Sequence, residues 1–365
     1  MRHELTRLCQ QVQDAQAESR RLSIVGGNTK PFYGERNPEP DPASEPLSIA
    51  GYQGIINYEP SELVLTARAG TRLADVEATL HKHGQMLGFE PPRFGDNATL
   101  GGCIAAGLAG PSRMAAGHVS DFVLGARLLS SSGDVLSFGG EVMKNVAGYD
   151  VSRLLAGSLG GLGAIVELSV KVIPQPAHER TLQLQASHAQ AIELCNGWRF
   201  LPLPITATAH LDDTLHVRLS GSRAAVESAH EEITARRGHQ VLAEADAGAF
   251  WTGLRDQTHE FFEQRPLWRL SVPPSTADLQ LGRSLTEWHG GLRWLSTSMP
   301  AAELRPLVAR HGGNATLYRA ADHAHDIPFF HPLDEVTERI NRRMMDELDP
   351  QGMFHPGRRL PVQQG

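Results

Sequence analysis

The chain has 365 residues, of which 41% are hydrophobic and 21% charged, with a formal net charge of −7. That size suits about two globular domains with their own cores, and an acidic chain with no Lys or Arg run longer than a pair lacks the electrostatic footprint for nucleic acid or a polybasic membrane contact. Three scattered cysteines, Cys9, Cys103 and Cys195, fit a reducing compartment and exclude a Cys-x-x-Cys zinc or iron–sulfur site.

If electrons pass through such a chain, they leave by a partner's cofactor. The start, Met-Arg-His-Glu-Leu-Thr-Arg, places charges where a signal peptide needs an apolar core, and no 18-residue uncharged span occurs. The expectation is a soluble, cytoplasmic protein without a transmembrane segment.

Leu5, Leu8, Val12 and Ala15 recur at helical spacing and predict an amphipathic helix over 2–19. Arg21 to Val25 reads as a strand running into Gly26-Gly27-Asn28-Thr29-Lys30. Consecutive amides with few side chains in the way can form a nest for a phosphate or diphosphate, or simply turn a hairpin. The spacing is neither a Walker loop nor a Rossmann G-x-G-x-x-G. Pro38, Pro40, Pro42 and Pro46 mark a surface loop. Leu63 to Gly70 predicts a strand, and a helix follows from Thr71 through Leu73, Val76 and Leu80 to Gly84. Pro91 and Pro92 predict an extended segment over 90–94.

Residues 99–125 are rich in Gly and Ala but interleaved with Leu, Ile, Val and Phe. A flexible linker would run to Ser and Gly without those apolar residues, so the stretch reads as packed backbone built to hold a bulky ligand. Ser131-Ser132-Gly133-Asp134 predicts a hairpin between 122–129 and 135–138. A short helix after Asp150 ends in a glycine-rich turn. Val166, Leu168, Val170 and Val172 then alternate with Glu167, Ser169 and Lys171 until Pro174.

Pro174-Gln175-Pro176 is the best boundary, dividing a domain at 1–175 from one at 176–365. Beyond it lie Trp251, Trp268, Trp288 and Trp294 and few glycine clusters. Strands at 205–211 and 215–219, a Ser222-capped helix and a strand from Gln240 come next, then a second helix-and-strand set over 275–320. A last helix, 333–348, leads into Asp349-Pro350-Gln351-Gly352-Met353-Phe354-His355-Pro356-Gly357-Arg358.

Five ordered segments carry a family resemblance: Gly26 to Lys30, Ala98 to Gly102, Gly117 to Gly125, Lys144 to Asp150 (Lys-Asn-Val-Ala-Gly-Tyr-Asp) and Gly160 to Val166. Together with the C-terminal segment they resemble flavoproteins of the vanillyl-alcohol oxidase and p-cresol methylhydroxylase (PCMH) type. Within these, the D-lactate and glycolate dehydrogenase group and the E-type flavin subunits of glycolate oxidase are the nearest in wording.

The resemblance implies an α+β protein. A two-subdomain PCMH-type FAD-binding domain would be followed by a reduced, ferredoxin-like cap, with residues 349–358 returning to the flavin domain. It implies FAD held by Val25, Gly26, Gly27, Asn28, Thr29 and Lys30 at the diphosphate. Pro91, Thr99, Leu100, Gly101, Gly102, Ala105, Gly107, Gly110, Gly117 and His118 would line the ribityl chain, flavin or phosphate side. Asp121 would lie near the adenosine, and Gly160, Gly163, Ala164, Ile165 and Val166 near the adenine or ribose. Relatives with covalent flavin use a His in the first loop, where this chain has none, so dissociable FAD is expected.

By the same resemblance, a larger paralogous FAD subunit and an iron–sulfur subunit are the expected partners. Glycolate would be oxidised to glyoxylate, with electrons passed to a quinone-linked chain at the inner face of a membrane. Catalytic relatives carry Gly-Asp-Gly-Asn-Leu-His in the second domain, where this chain reads Gly312-Gly313-Asn314-Ala315-Thr316-Leu317-Tyr318-Arg319. That departure points catalysis toward the sister subunit. An autonomous D-2-hydroxy-acid dehydrogenase and a structural subunit that has lost flavin stand as alternatives. Arg319 is a candidate carboxylate clamp or an ion-pair partner, and His355 reaches the flavin edge or caps a turn. Asp322, His323, His325, Asp326 and His331 read as a solvated loop, and no metal is expected.

Overall fold

The structure is a computed structural model that describes residues 2–34, 44–140, 150–235, 238–321 and 327–354. Two compact units emerge. One comprises Met1–Leu108, His118–Pro174 and Pro332–Gly365, the other Ala109–Gly117 and Gln175–His331. The division is less linear than the sequence suggests, because 109–117 packs with the second unit and the whole C-terminal helix with the first.

In the first unit, helix Arg2–Ala17 buries Leu8, Val12 and Ala15 completely. It lies beside the parallel pair Arg21–Val25 and Ser44–Ser48, tied there by Gln11 Nε2 donating to the Pro46 carbonyl. The second layer is a five-stranded antiparallel sheet in the order Ile55–Glu59, Val64–Arg68, Ala164–Lys171, Val123–Leu129, Val135–Gly139. The predicted hairpin at 130–134 forms, with Gly133 at φ 82°.

Strand Ala164–Lys171 is covered on both faces. Ser169 is buried and shares a 2.9 Å hydrogen bond with Thr66, so the polar face of its alternation is also enclosed. Glu90 departs from the extended expectation: it sits at φ 45° while its N–H closes a turn on the Leu87 carbonyl.

The C-terminal helix Glu335–Leu348 has no buried residue, yet the segment after it is anchored firmly. The Asp349 carboxylate accepts the Met353 and Phe354 N–H groups at 3.0 and 2.7 Å, and Phe354 pairs with Leu22 of the first strand. Burial pushes the Asp349 carboxyl above its ordinary range.

The second unit is built on an eight-stranded antiparallel sheet. Its first half runs strand His178–Gln185, helix His188–Trp198, strands Ile205–Leu211 and Thr214–Gly221, helix Arg223–Thr234, strand His239–Val241. Taking those four strands in chain order, the sheet order is 4-1-3-2, the ferredoxin-like arrangement. The second half repeats that order with strands Leu267–Ser271, Ser284–Glu287, Leu292–Leu295 and Asn314–Arg319, helix Ala301–Arg310 preceding the last strand and a segment without a helix, 272–283, standing where the first would be. The halves join edge to edge where Ala209 and His210 pair with Glu287 and Thr286.

One face of this sheet carries two apolar clusters beneath the helices, around Leu182, Val217 and Val226 and around Trp268, Leu304 and Leu317. Alternation places polar residues on the other face. There Trp251 of helix Glu244–Arg255 donates to Thr181 at 2.9 Å, and His216 stacks on Phe250 at 4.0 Å. Expulsion of charge from this contact drops the His216 pKa to about 4.

Candidate functional site

A recess of about 840 Å³, counting its open mouth, lies within the first unit. One wall is the loop after strand Arg21–Val25, with Gly26, Gly27, Asn28, Thr29 and Lys30. Helix Leu100–Ala106 gives a second wall through Gly101, Gly102, Ala105 and Ala106, and Ala69, Ile165 and the 159–163 turn complete it.

Glycine is demanded here by the chain's own packing. A Cβ on Gly27 would lie 1.6 Å from the Asn97 carbonyl oxygen, and one on Gly101 would lie 2.6 Å from the Ala69 Cβ. The small residues therefore let three backbone segments close on one another, and the recess is the space they enclose. Backbone bonds stitch the same contact: Gly101 N–H donates to the Ala69 carbonyl, Leu100 N–H to Thr71, and Leu73 N–H to Ala98.

The two walls differ in their free donors. On helix Leu100–Ala106 the first N–H groups are spent inside the chain, since Thr99 caps Gly102 through Oγ1 at 3.2 Å and accepts Cys103 at its carbonyl. In the loop, by contrast, the N–H groups of Gly26, Gly27, Asn28 and Thr29 have no acceptor among the described residues. Asn28 takes a left-handed φ of 51°, a conformation Asn tolerates and one that helps turn successive N–H groups toward a common anion.

Lys30 follows them, 8% exposed, with Nζ 3.4 Å from Thr29 Oγ1 and over the Phe94 ring at 5.5 Å. Among the described residues lining the recess it is the single charged side chain. Cys103, buried behind this wall, has its thiol pushed up to about 12 by burial, which makes it a packing residue rather than a nucleophile. Open main-chain donors, one cation and no lining carboxylate fit a diphosphate-linked flavin.

Residues 5–139 match the family described as FAD binding domain. Over 96% of both chains, the sequence is 41% identical to glycolate oxidase subunit GlcE of Escherichia coli (strain K12). The chain belongs to the GlcE family of glycolate oxidase subunits. The GlcE-family chain is also 31% identical to glycolate oxidase subunit GlcD of Bacillus subtilis (strain 168), over 35% of this chain and 27% of that protein. The names of both relatives describe subunits of a multi-subunit oxidase. Among solved structures, p-cresol methylhydroxylase with substrate bound aligns at a TM-score of 0.71, with 11% identity, over 98% of this chain and 87% of that one. Alkyldihydroxyacetonephosphate synthase aligns at 0.66, with 14% identity, over 95% and 73%. The α+β PCMH-type fold is thereby established, and FAD is the cofactor of the family.

Thirteen of the residues expected at the cofactor line the recess: Val25 to Lys30 in the loop, Thr99, Gly101, Gly102 and Ala105 on the helix, and Gly160, Gly163 and Ile165 opposite. The others lie elsewhere. Leu100, Ala164 and Val166 are fully buried and flank lining positions on the opposite side of their elements, as the two-residue period of a strand requires around Ile165. Gly107 closes the helix with φ 64°, and Pro91 is buried outside the lining.

Gly110 and Gly117 belong to the second unit, where the Gly110 carbonyl accepts the Trp288 indole N–H at 3.0 Å. His118 and Asp121 form a capping box. Asp121 Oδ2 accepts the His118 N–H at 2.7 Å, and His118 Nδ1 accepts the Ser120 N–H at 3.2 Å, so both are committed to a turn. Ile24, Ile49, Ala69, Ala106 and Leu159 also line the recess without having been expected. Ile24, Ala106 and Leu159 adjoin expected positions, but Ile49 and Ala69 carry no motif.

In the second unit, Arg319 Nη2 donates to Gln257 Oε1 at 3.1 Å, and Gln257 Nε2 donates to the Tyr318 hydroxyl. His331 Nδ1 accepts the Ala315 N–H at 3.2 Å, which makes it a strand-edge support. His355, Lys144 to Tyr149, and the Asp322, His323, His325 and Asp326 group lie outside the described residues. Among the described residues no His, Cys, Asp and Glu cluster has a metal-site arrangement, and no helix is long and apolar enough to cross a membrane.

Proposed function

We propose that this chain is the FAD-holding subunit of a glycolate-oxidising complex, contributing flavin electron transfer while the hydroxy acid is oxidised mainly on a larger flavin subunit. The observation that carries the reading is the run of four amides, Gly26 to Thr29, without acceptors among the described residues, closing a recess whose lining carries one positive and no negative side chain. When bound, FAD would supply hydride acceptance and one-electron transfer. The chain's own share is to neutralise the diphosphate, to enclose the flavin between Gly/Ala-lined backbone segments, and to keep ionisable lining groups away from it.

Assignment of catalysis to a partner rests on the strand Asn314–Arg319, which carries Ala315 and Leu317 in the core, in the segment where catalytic relatives place an acid and a histidine. Partners of the family's type, a larger flavin subunit and an iron–sulfur subunit, complete the route to a membrane quinone. The first loop, Gly26 to Lys30, carries no His of the kind that anchors covalent flavin in relatives. The flavin is accordingly held without a covalent bond, and acid denaturation should release it.

The test is the visible spectrum of the purified chain, taken anaerobically before and after glycolate or D-lactate. Flavin bands that persist with either acid, and bleach only when the partner subunits are added, are expected. Bleaching by the chain alone would make it an autonomous dehydrogenase. A colourless chain that takes up no FAD but still assembles would make it a structural subunit.

A further inference from the structure

The two halves of the second unit's sheet meet along a short seam, where Ala209 pairs with Glu287 and His210 with Thr286. Side chains reinforce it. His188, the first residue of helix His188–Trp198 in the first half, places Nδ1 3.1 Å from Asp278 Oδ1 and Nε2 2.9 Å from Thr286 Oγ1. Both contacts reach the second half. Asp278 lies in segment 272–283, which stands where that half lacks a helix, and Asn196 of the same first-half helix donates to the Pro274 carbonyl at 3.0 Å. The His188 ring stacks on His210, with centroids 5.3 Å apart and planes 15° from parallel. Thr286 is 5% exposed, so its hydroxyl is a tie and not an accessible nucleophile.

The arrangement suits neutral rings. With Asp278 accepting from His188 Nδ1, the Nε2 atom is left to accept from the Thr286 hydroxyl, and a proton added there turns that acceptor into a second donor. His210 donates through Nε2 to the Ala186 carbonyl at 2.8 Å, and its Nδ1 is buried without a partner. A proton on that nitrogen would be a buried donor with no acceptor. The surrounding charges are mixed: Arg293 and the dipole at the helix N-terminus oppose a positive His188, Asp278 favours one, and Asp213, Asp212 and Asp278 favour a positive His210. Burial outweighs the carboxylates and holds both imidazoles below the ordinary histidine range.

We propose that the stacked His188 and His210 form an acid-sensitive latch, whose protonation opens the seam and frees segment 272–283 while each half stays folded. Once the seam opens, the rings titrate near 6.5, whereas the closed seam binds protons less well, so falling pH favours opening. The latch is closed at pH 7 and weakens progressively below about pH 6.5.

Hydrogen exchange of the full-length chain, read by mass spectrometry at pH 7 and pH 5 and corrected for intrinsic exchange rates, tests the latch. Peptides covering 205–211 and 284–288 should lose about tenfold in protection at pH 5, while strand Ala164–Lys171 of the first unit keeps its own. The double variant His188→Gln, His210→Phe should cut the loss at the seam to within about twofold, with a circular dichroism melt at pH 7 reporting whether it folds. Histidine-ring NMR titration of the wild type needs no substitution and decides alone if the variant fails to fold: the His188 and His210 midpoints should lie below about 6.5. Seam protection unchanged at pH 5, a tenfold loss that persists in the double variant, an equal loss in strand 164–171, or ring midpoints at or above the ordinary value would each overturn the proposal.

Discussion

The two units solve opposite problems with opposite residues. In the first, the recess is framed by main chain: Gly27 and Gly101 carry no side chain, so that backbone segments meet at distances a Cβ would forbid. In the second, order comes from large side chains gripping one another. The Trp288 indole lies near the guanidinium groups of Arg113 and Arg269, at 5.0 and 5.2 Å, and donates to the Gly110 carbonyl. Trp294 donates to the buried Glu287 at 2.8 Å and meets Tyr318 edge-on at 4.8 Å. A recess framed by backbone tolerates almost no substitution, whereas a side-chain network loses energy one contact at a time.

Gly27→Val should break that contrast most severely. With the Asn97 carbonyl oxygen 1.6 Å from the new Cβ position, the loop must move away from the helix wall. Loss of FAD binding by titration, with a marked fall in folded yield, is expected. Retention of wild-type affinity would mean that the loop does not frame the site.

Trp288→Ala should be next. Deleting a Trp that is 6% exposed typically costs about 3–5 kcal/mol, with two stacked cations and one carbonyl left uncovered. A lowered urea midpoint is expected while the flavin titration of the chain still folded at low urea stays near wild type.

Much of the first unit was legible from sequence because its demands are backbone demands, but Pro46, read as part of a surface loop, lies in the strand Ser44–Ser48. Gly27, Gly101 and Gly107 are required at fixed points, and fixed glycines leave a pattern. In the second unit, strands at 205–211 and 215–219 and the Ser222 cap were legible from periodicity, since alternation and capping are local, whereas strands His178–Gln185 and Leu267–Ser271 were not anticipated. Its pairing of two ferredoxin-like halves was not legible either, because the second half lacks the helix that would have repeated the signal. At His118 and Asp121 the sequence alone does not separate two roles, since a capping box and a ligand contact draw on the same short polar residues; the structure shows the 2.7 Å bond from the His118 N–H to Asp121. A lining residue such as Ile49 was invisible because an apolar wall looks like any core position.

A smaller effect sharpens the comparison through pH. His216, 7% exposed and stacked on Phe250, has its pKa lowered by burial to about 4, whereas in the unfolded chain it titrates near 6.5. Between those values the unfolded state binds the extra proton. Its contribution is therefore complete above about pH 6.5 and lost as pH falls toward 4, about 3 kcal/mol in all. Urea unfolding at pH 7 and pH 4.5 should show the decline, and His216→Phe should reduce it; an unaltered pH dependence in that variant would contradict the buried-neutral assignment.

The smallest effect is expected at the surface. Arg283 meets Asp212 at 2.6 Å, but both side chains are about half exposed. Asp212→Ala should change stability by less than about 1 kcal/mol in urea unfolding.

The proposed function turns on the first unit's side-chain-poor recess being an FAD site. Isothermal titration of the deflavinated full-length chain with FAD measures it directly. One FAD bound per chain, abolished by Gly27→Val and retained by Trp288→Ala, is the predicted result. An apo chain that takes up no FAD, or one whose FAD binding survives Gly27→Val unchanged, would contradict it.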